Sequence, residues 1–175
     1  RFQSQSFNVN DNVVLAGPNN SGKTTLLQAI AVWNLTLQRW MAEHAESSKA
    51  KQRTGVPISR GDFTAIPLRE MDLLWFDRDT AYSQGEKDGA VAGQPKLAVI
   101  TLYGKNPGKD DWHLSVTLRY TNKEQIYVKL ADEAGSIITD VPAAARDIKI
   151  VHVPPFSGIG AEETGLQLGF QNRLV

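Results

Sequence analysis

The densest chemistry in the chain lies near its start, at Gly17-Pro18-Asn19-Asn20-Ser21-Gly22-Lys23-Thr24. This run satisfies G-x-x-x-x-G-K-[ST] at every fixed position. Its glycines let the backbone curl until several N–H groups point at one phosphate. A helix that starts at the end of the run adds the partial positive charge of its N-terminus. Lys23 reaches the terminal phosphates as a point charge. The Thr24 hydroxyl is placed to ligate Mg²⁺, an ion that keeps most of its shell as water and phosphate oxygen. The candidate nucleotide-contacting set is Gly17, Asn19, Asn20, Ser21, Gly22, Lys23, Thr24 and Thr25, with Thr24 also the candidate metal ligand. No catalytic residue is assigned. The bland alternative is a chance glycine-rich turn before a helix.

The flanking pattern argues against chance. Val13-Val14-Leu15-Ala16 predicts a short buried strand leading into the loop. Beyond it a helical pattern runs from Lys23 to about Lys51. Leu26, Leu27, Ile30, Trp33, Leu37, Trp40 and Met41 recur at three- and four-residue steps, until Gly55 and Pro57 break the pattern. Residues 58–67 read as a loop or a short strand. Leu68–Arg78 predicts a helix with Leu68, Met71, Leu74 and Trp75 on one face, and Asp79–Pro95 has the composition of a surface loop. The period then changes to two. Lys96–Tyr103, Trp112–Tyr120 and Gln125–Leu130 alternate and are joined by short connections, which predicts an antiparallel meander. Ile148–Val153 reads as a further strand, stopped by Pro154-Pro155, and the tail from Phe156 has little periodicity.

At 175 residues the chain is one ordinary domain by length, and its 41% hydrophobic and 22% charged residues are those of a globular protein. Basic and acidic residues both number 19, which excludes a broadly basic nucleic-acid coat and an acidic tail protein. The charge is unevenly placed. Residues 1–60 hold seven basic and three acidic groups, a net of +4, and the remainder balances it at −4. The basic end is also the end with the phosphate motif. With no cysteine, disulfides, Cys zinc sites and thiol catalysis are excluded. No apolar run approaches the roughly 20 residues of a membrane span, and no leader peptide is evident. A cytoplasmic setting is the expectation.

The loop carries more than its minimal motif. Asn19 and Asn20, the doubled Thr24-Thr25, and Leu26-Leu27 with Ala29-Ile30 resemble the ABC-type ATPase heads of the SMC, RecF and overcoming-lysogenization-defect branch. The order strand, P-loop, long helix, antiparallel β subdomain and returning strand is also similar. The resemblance implies an α/β P-loop NTPase: a mixed sheet around the loop, with an antiparallel β subdomain at about residues 95–132. It implies ATP and Mg²⁺ as ligands. In the intact protein it implies two heads closing on ATP as a homodimer, coupled to work on DNA or a partner protein.

The sequence departs from the family pattern in three places. The returning strand of such heads leads to a Gln that touches Mg²⁺ and the attacking water. Here the counterpart, Ile148 to Gly158, has none, although Val153-Pro154-Pro155-Phe156-Ser157-Gly158 resembles an element of some bacterial members. A Leu-Ser-Gly-Gly-like signature and a hydrophobic strand ending in Asp-Glu are also missing after residue 150. The chain therefore reads as the N-terminal part of such a head, expected to hold nucleotide and to hydrolyse it poorly.

Other residues compete for attention. Leu73-Leu74-Trp75-Phe76-Asp77 resembles a Walker B strand, with Asp77 placed 53 positions after Thr24. That would make a self-contained P-loop NTPase or kinase. Against it, Arg69, Glu70 and Asp72 suit a helix surface, and Arg78 stands where a Glu is expected. A third reading is a nucleotide-binding module without hydrolysis. His44, His113 and His152 show no metal-ligand spacing. Arg53 and Arg60 suit a solvated loop or a contact to phosphate or DNA, and Tyr103, Tyr120 and Tyr127 suit sheet packing.

Overall fold

The structure is a computed structural model, and it describes residues 4–9, 12–45, 54–63, 66, 68–80, 95–105 and 111–151. It is a mixed α and β arrangement: one long helix laid across one face of a four-stranded antiparallel sheet.

The helix, α1, spans Lys23–His44. Its apolar stripe does not touch the sheet along its whole length. Burial begins at Ala31 and continues through Val32, Trp33, Thr36, Leu37, Trp40 and His44, at the helical spacing. The turns before Ala31 are half-buried or exposed, and Leu27 remains 48% exposed. Near the end of α1, His44 is buried, its ring tilted over Trp40 and its Nδ1 3.0 Å from the Trp40 carbonyl. The expected continuation toward Lys51 falls mostly outside the described residues.

The strands are β1 (Val56–Ser59), β2 (Leu97–Gly104), β3 (Trp112–Asn122) and β4 (Gln125–Ala131), in the spatial order β1-β4-β3-β2. The predicted meander is present as β2, β3 and β4. Its register sets Ile100 beside Val116, Val116 beside Leu130, and Leu118 beside Val128. Every second side chain therefore falls on one face. Leu114, Val116, Leu118, Ile126, Val128, Leu130, Val56 and Ile58 form that face and are buried under α1. Trp33 joins the two layers, since its indole Nε1–H donates to the Leu114 carbonyl at 2.9 Å. A pinned Trp of this kind both packs and satisfies its one polar group.

Five expectations change. The sheet extends beyond residues 95–132, because β1 adds to it by pairing Val56 with Val128. Among the described residues the sheet is wholly antiparallel rather than mixed. Val13–Ala16 is not a strand: it joins no ladder, and Val13 and Val14 are 44% and 90% exposed. A β-branched run becomes a buried strand only where neighbours pair with it on its edges and cover its faces. Nothing among the described residues does so here. Similarly, Ile148 and Ile150 lean on the core without joining a ladder, and Val151 is 73% exposed.

Leu68–Arg78 is not an α-helix either. It forms two 3₁₀ turns, Met71–Leu74 and Phe76–Arg78, separated by the extended Trp75. Met71 and Trp75 are buried, as the helical spacing anticipated, but they are delivered by turns. The segment is pinned to the sheet as well as to itself. The Met71 N–H donates to the Lys123 carbonyl, the Trp75 indole donates to the Lys96 carbonyl, and Glu70 accepts from Lys123 and Arg78. Arg78 also lies 3.6 Å from Asp72. The short helix α2, Ala143–Arg146, follows the sheet and buries Ala145.

Candidate phosphate-binding loop

The exposed start of α1 carries the loop. Three residues within it have left-handed or otherwise positive backbone angles: Gly17 (φ 154°), Asn20 (φ 65°) and Gly22 (φ 91°). Glycine and asparagine are the residues that tolerate this region. A Cβ at Gly17 would stand 3.0 Å from Ser21 Oγ, inside the curl of the loop. The turn closes on itself through the Ser21 N–H donating to the Pro18 carbonyl at 3.3 Å. Gly22 then starts the helix, its carbonyl accepting from the Leu26 N–H at 3.0 Å.

The N-terminus of α1 has no side-chain cap and no acidic residue in its first turn. The N–H groups of Lys23, Thr24 and Thr25 thus lack an intrahelical acceptor. Together with residues 19–22 they line an open concavity of about 680 Å³. Most helices fill this end with Ser, Thr, Asp or Asn. Left open beside a lysine, it sets backbone donors, the helix dipole and an ammonium close together, the chemistry that attracts an anion.

Lys23 is already turned into the loop. Its Nζ donates to the Gly17 carbonyl at 2.8 Å, to the Pro18 carbonyl at 2.7 Å and to Ser21 Oγ at 3.3 Å. Thr24 and Thr25 are exposed, and neither hydroxyl makes a hydrogen bond to another described residue. All eight residues singled out by the motif therefore fall in one continuous stretch at one end of α1.

The other candidates lie elsewhere. Asp77 sits exposed in a 3₁₀ turn with φ 49°, not at the end of a strand. Arg60 is used in structure: it pairs with Glu124 at 2.9 Å and donates to the Leu68 carbonyl. Tyr103 and His113 are neighbours on the outer face of the sheet, Tyr120 packs edge-on against Trp75, and Tyr127 lies beneath the Arg119 guanidinium. Among the described residues no three His, Cys, Asp or Glu side chains gather as a metal site. Arg53, His152 and the Val153–Gly158 element lie outside the described residues.

One contact that sequence reasoning missed holds the site's platform in place. Asp62 accepts from Arg39 of α1 at 2.6 Å through one carboxylate oxygen, and from the Ser59 N–H and hydroxyl through the other. Burial raises the Asp62 pKa, but the Ser59 and Arg39 hydrogen bonds outweigh it and hold the carboxyl below its ordinary value. Ser59 and Asp62 have capping-box spacing, which was the available signal; the partner Arg39 is 23 residues away. No helix of the described residues is long and apolar enough to cross a membrane. No family model, curated protein or solved structure matches the chain.

Proposed function

We propose that this chain binds Mg²⁺-ATP through residues 17–25, as the N-terminal portion of an ABC-type ATPase head of the SMC and RecF kind. One observation carries the reading: a motif-matched loop curls around the Lys23 ammonium at the uncapped N-terminus of a 22-residue helix. The residues suit the ligand. Gly17 keeps the interior of the curl free of a side chain. Lys23 would exchange its two carbonyl acceptors for phosphate oxygens, which are charged and bind an ammonium more strongly. Thr24 would offer its hydroxyl to Mg²⁺, with phosphate and water completing the shell. The metal's part, when bound, is to neutralise charge on the phosphates.

The wider assignment follows the resemblance: a P-loop NTPase fold, a cytoplasmic setting, and ATP-gated closure of two heads in the intact protein, coupled to DNA or a partner protein. The arrangement of β2, β3 and β4 as an antiparallel meander beside the loop-bearing helix supports it. The rival enzyme built on Asp77 has less support, because that carboxylate sits on a surface turn.

Calorimetric titration of ATP into the chain, with and without Mg²⁺, tests the proposal. Lys23→Ala should weaken binding by about 10- to 100-fold, the loss of one charge-assisted contact. Equal affinity in the variant, with normal circular dichroism, would overturn the reading. Turnover by the chain alone should stay near background, since orienting the water and stabilising transition-state charge each contribute about 10²–10³ in rate. Clear Mg²⁺-dependent phosphate release above the Lys23→Ala blank would favour the self-contained enzyme instead.

A further inference from the structure

The two edges of the sheet are built differently. β1, at one edge, has only four residues and contains Pro57, which has no N–H to offer. Short length and proline are the usual ways of blunting an edge. β2, at the other edge, is Leu97-Ala98-Val99-Ile100-Thr101-Leu102-Tyr103-Gly104. It has no proline and no charged residue. Its register with β3 runs unbroken from Leu97–Arg119 to Gly104–Trp112, without a bulge. No backbone group of any described loop or strand bonds to its open side.

The side chains of β2 are unfinished on both faces. Leu97, Val99 and Tyr103 on the outer face are 48%, 55% and 65% exposed. Ala98, Ile100 and Leu102 on the inner face touch the core but are only half-buried. Among the described residues the core is thus uncovered along this edge, and a strand that completed it would meet apolar side chains on both sides of the sheet.

We propose that β2 pairs with β2 of a second copy of this chain, joining two four-stranded sheets into one of eight. The occupant follows from the strand's own sequence. A twofold axis normal to the sheet keeps inner face with inner face, so odd residues must oppose odd ones and even residues even ones. Centring the axis on Ile100 sets Ile100 against its own copy. Ala98 then faces Leu102 on the inner side. On the outer side Leu97 faces Tyr103, and Val99 faces Thr101. The flanking charges stay apart, because Lys96 falls opposite Gly104 and Lys105 opposite Pro95. The pairing keeps inner face with inner face, sets apolar side chains together on the inner side and brings no two charges opposite each other. This pairing leaves the loop at residues 17–25 uninvolved, and it needs no nucleotide.

Sedimentation velocity of the 175-residue chain without nucleotide, across a range of concentrations, reads the pairing directly. A concentration-dependent shift from monomer to dimer is expected. The double variant Val99→Lys/Thr101→Lys places lysines directly opposite each other twice, and should raise the dimer dissociation constant about tenfold or more. Val99→Lys/Thr101→Glu places opposite charges in the same two positions and should restore the dimer. Circular dichroism confirms that each variant is folded. A chain that stays monomeric at every concentration would overturn the proposal. So would a dimer indifferent to the lysine pair, or one that the Lys/Glu variant fails to restore.

Discussion

The two halves of α1 have opposite surroundings. From Ala31 onward the helix is sunk into the sheet, with Trp33 and Leu37 fully buried. Before Ala31 it stands clear, and its first turn ends in an uncapped N-terminus beside a loop with positive φ at Gly17, Asn20 and Gly22. One half is held by contacts. The other half has none of the usual means of closing a helix end. A helix can hold an open end of this kind when its remainder is anchored, since most helical stability in proteins comes from packing of an apolar face rather than from propensity. Fold and site therefore occupy the same element without sharing residues, and substitutions in the two halves should have separable effects.

The largest effect should come from the anchored half. Trp33→Ala removes the largest fully buried side chain of the core and the hydrogen bond to the Leu114 carbonyl. It should cost about 3–5 kcal/mol, measured by denaturant unfolding. Lys23→Ala, by contrast, should leave the unfolding midpoint within error and abolish most nucleotide affinity. If Lys23→Ala unfolded the protein, or Trp33→Ala weakened ATP binding in the folded state as much as it weakened stability, the two halves would not be separable.

The same contrast explains what could be read in advance. The start of α1 at Lys23 and the positive φ at Gly17 and Gly22 were legible, because the glycines of G-x-x-x-x-G-K-T answer backbone requirements local to the loop. The meander was legible because period two and short connections are also local. Val13–Ala16 was misread because a parallel-type buried strand is defined by its neighbours, and none lies beside it among the described residues. Met71 and Trp75 are four residues apart in either a helix or a pair of turns, so burial alone could not separate the two. The deciding contacts reach Lys96 and Lys123, far along the chain. The Arg39–Asp62 link was invisible for the same reason.

A smaller effect should separate two roles within the exposed half. Gly22→Ala puts a Cβ on a residue at φ 91°, and should cost about 1 kcal/mol or more of stability. It should also disturb the loop. Thr24→Ala alters no hydrogen bond among the described residues, so its stability should not change. Its affinity for ATP should fall when Mg²⁺ is present and hold when Mg²⁺ is chelated. An equal fall in both conditions would remove Thr24 from the metal's side of the site.

The smallest effect tests how the anchored half is clamped to the sheet. Asp62 joins Arg39 of α1 to Ser59 at the end of β1. Its carboxyl is held below the ordinary 3.8, with the Ser59 and Arg39 hydrogen bonds outweighing the opposing effect of burial. A carboxyl depressed by folding binds its proton more readily in the unfolded chain. Its stabilisation is therefore fully present above the unfolded value. It fades as the pH falls below about 3.8, and is gone once the pH has passed the lower, folded value. Arg39 is half-exposed, so solvent screening limits the link to about 1 kcal/mol or less. Asp62→Asn should lower stability by that amount at neutral pH. At a pH below the folded value, where the native Asp62 is itself neutral, the two proteins should converge. Urea melts of both, at neutral pH and at the lowest pH where the chain stays folded, make the comparison. A deficit that remained constant across that range would mean that Asp62 acts through the shape of the turn and not through its charge.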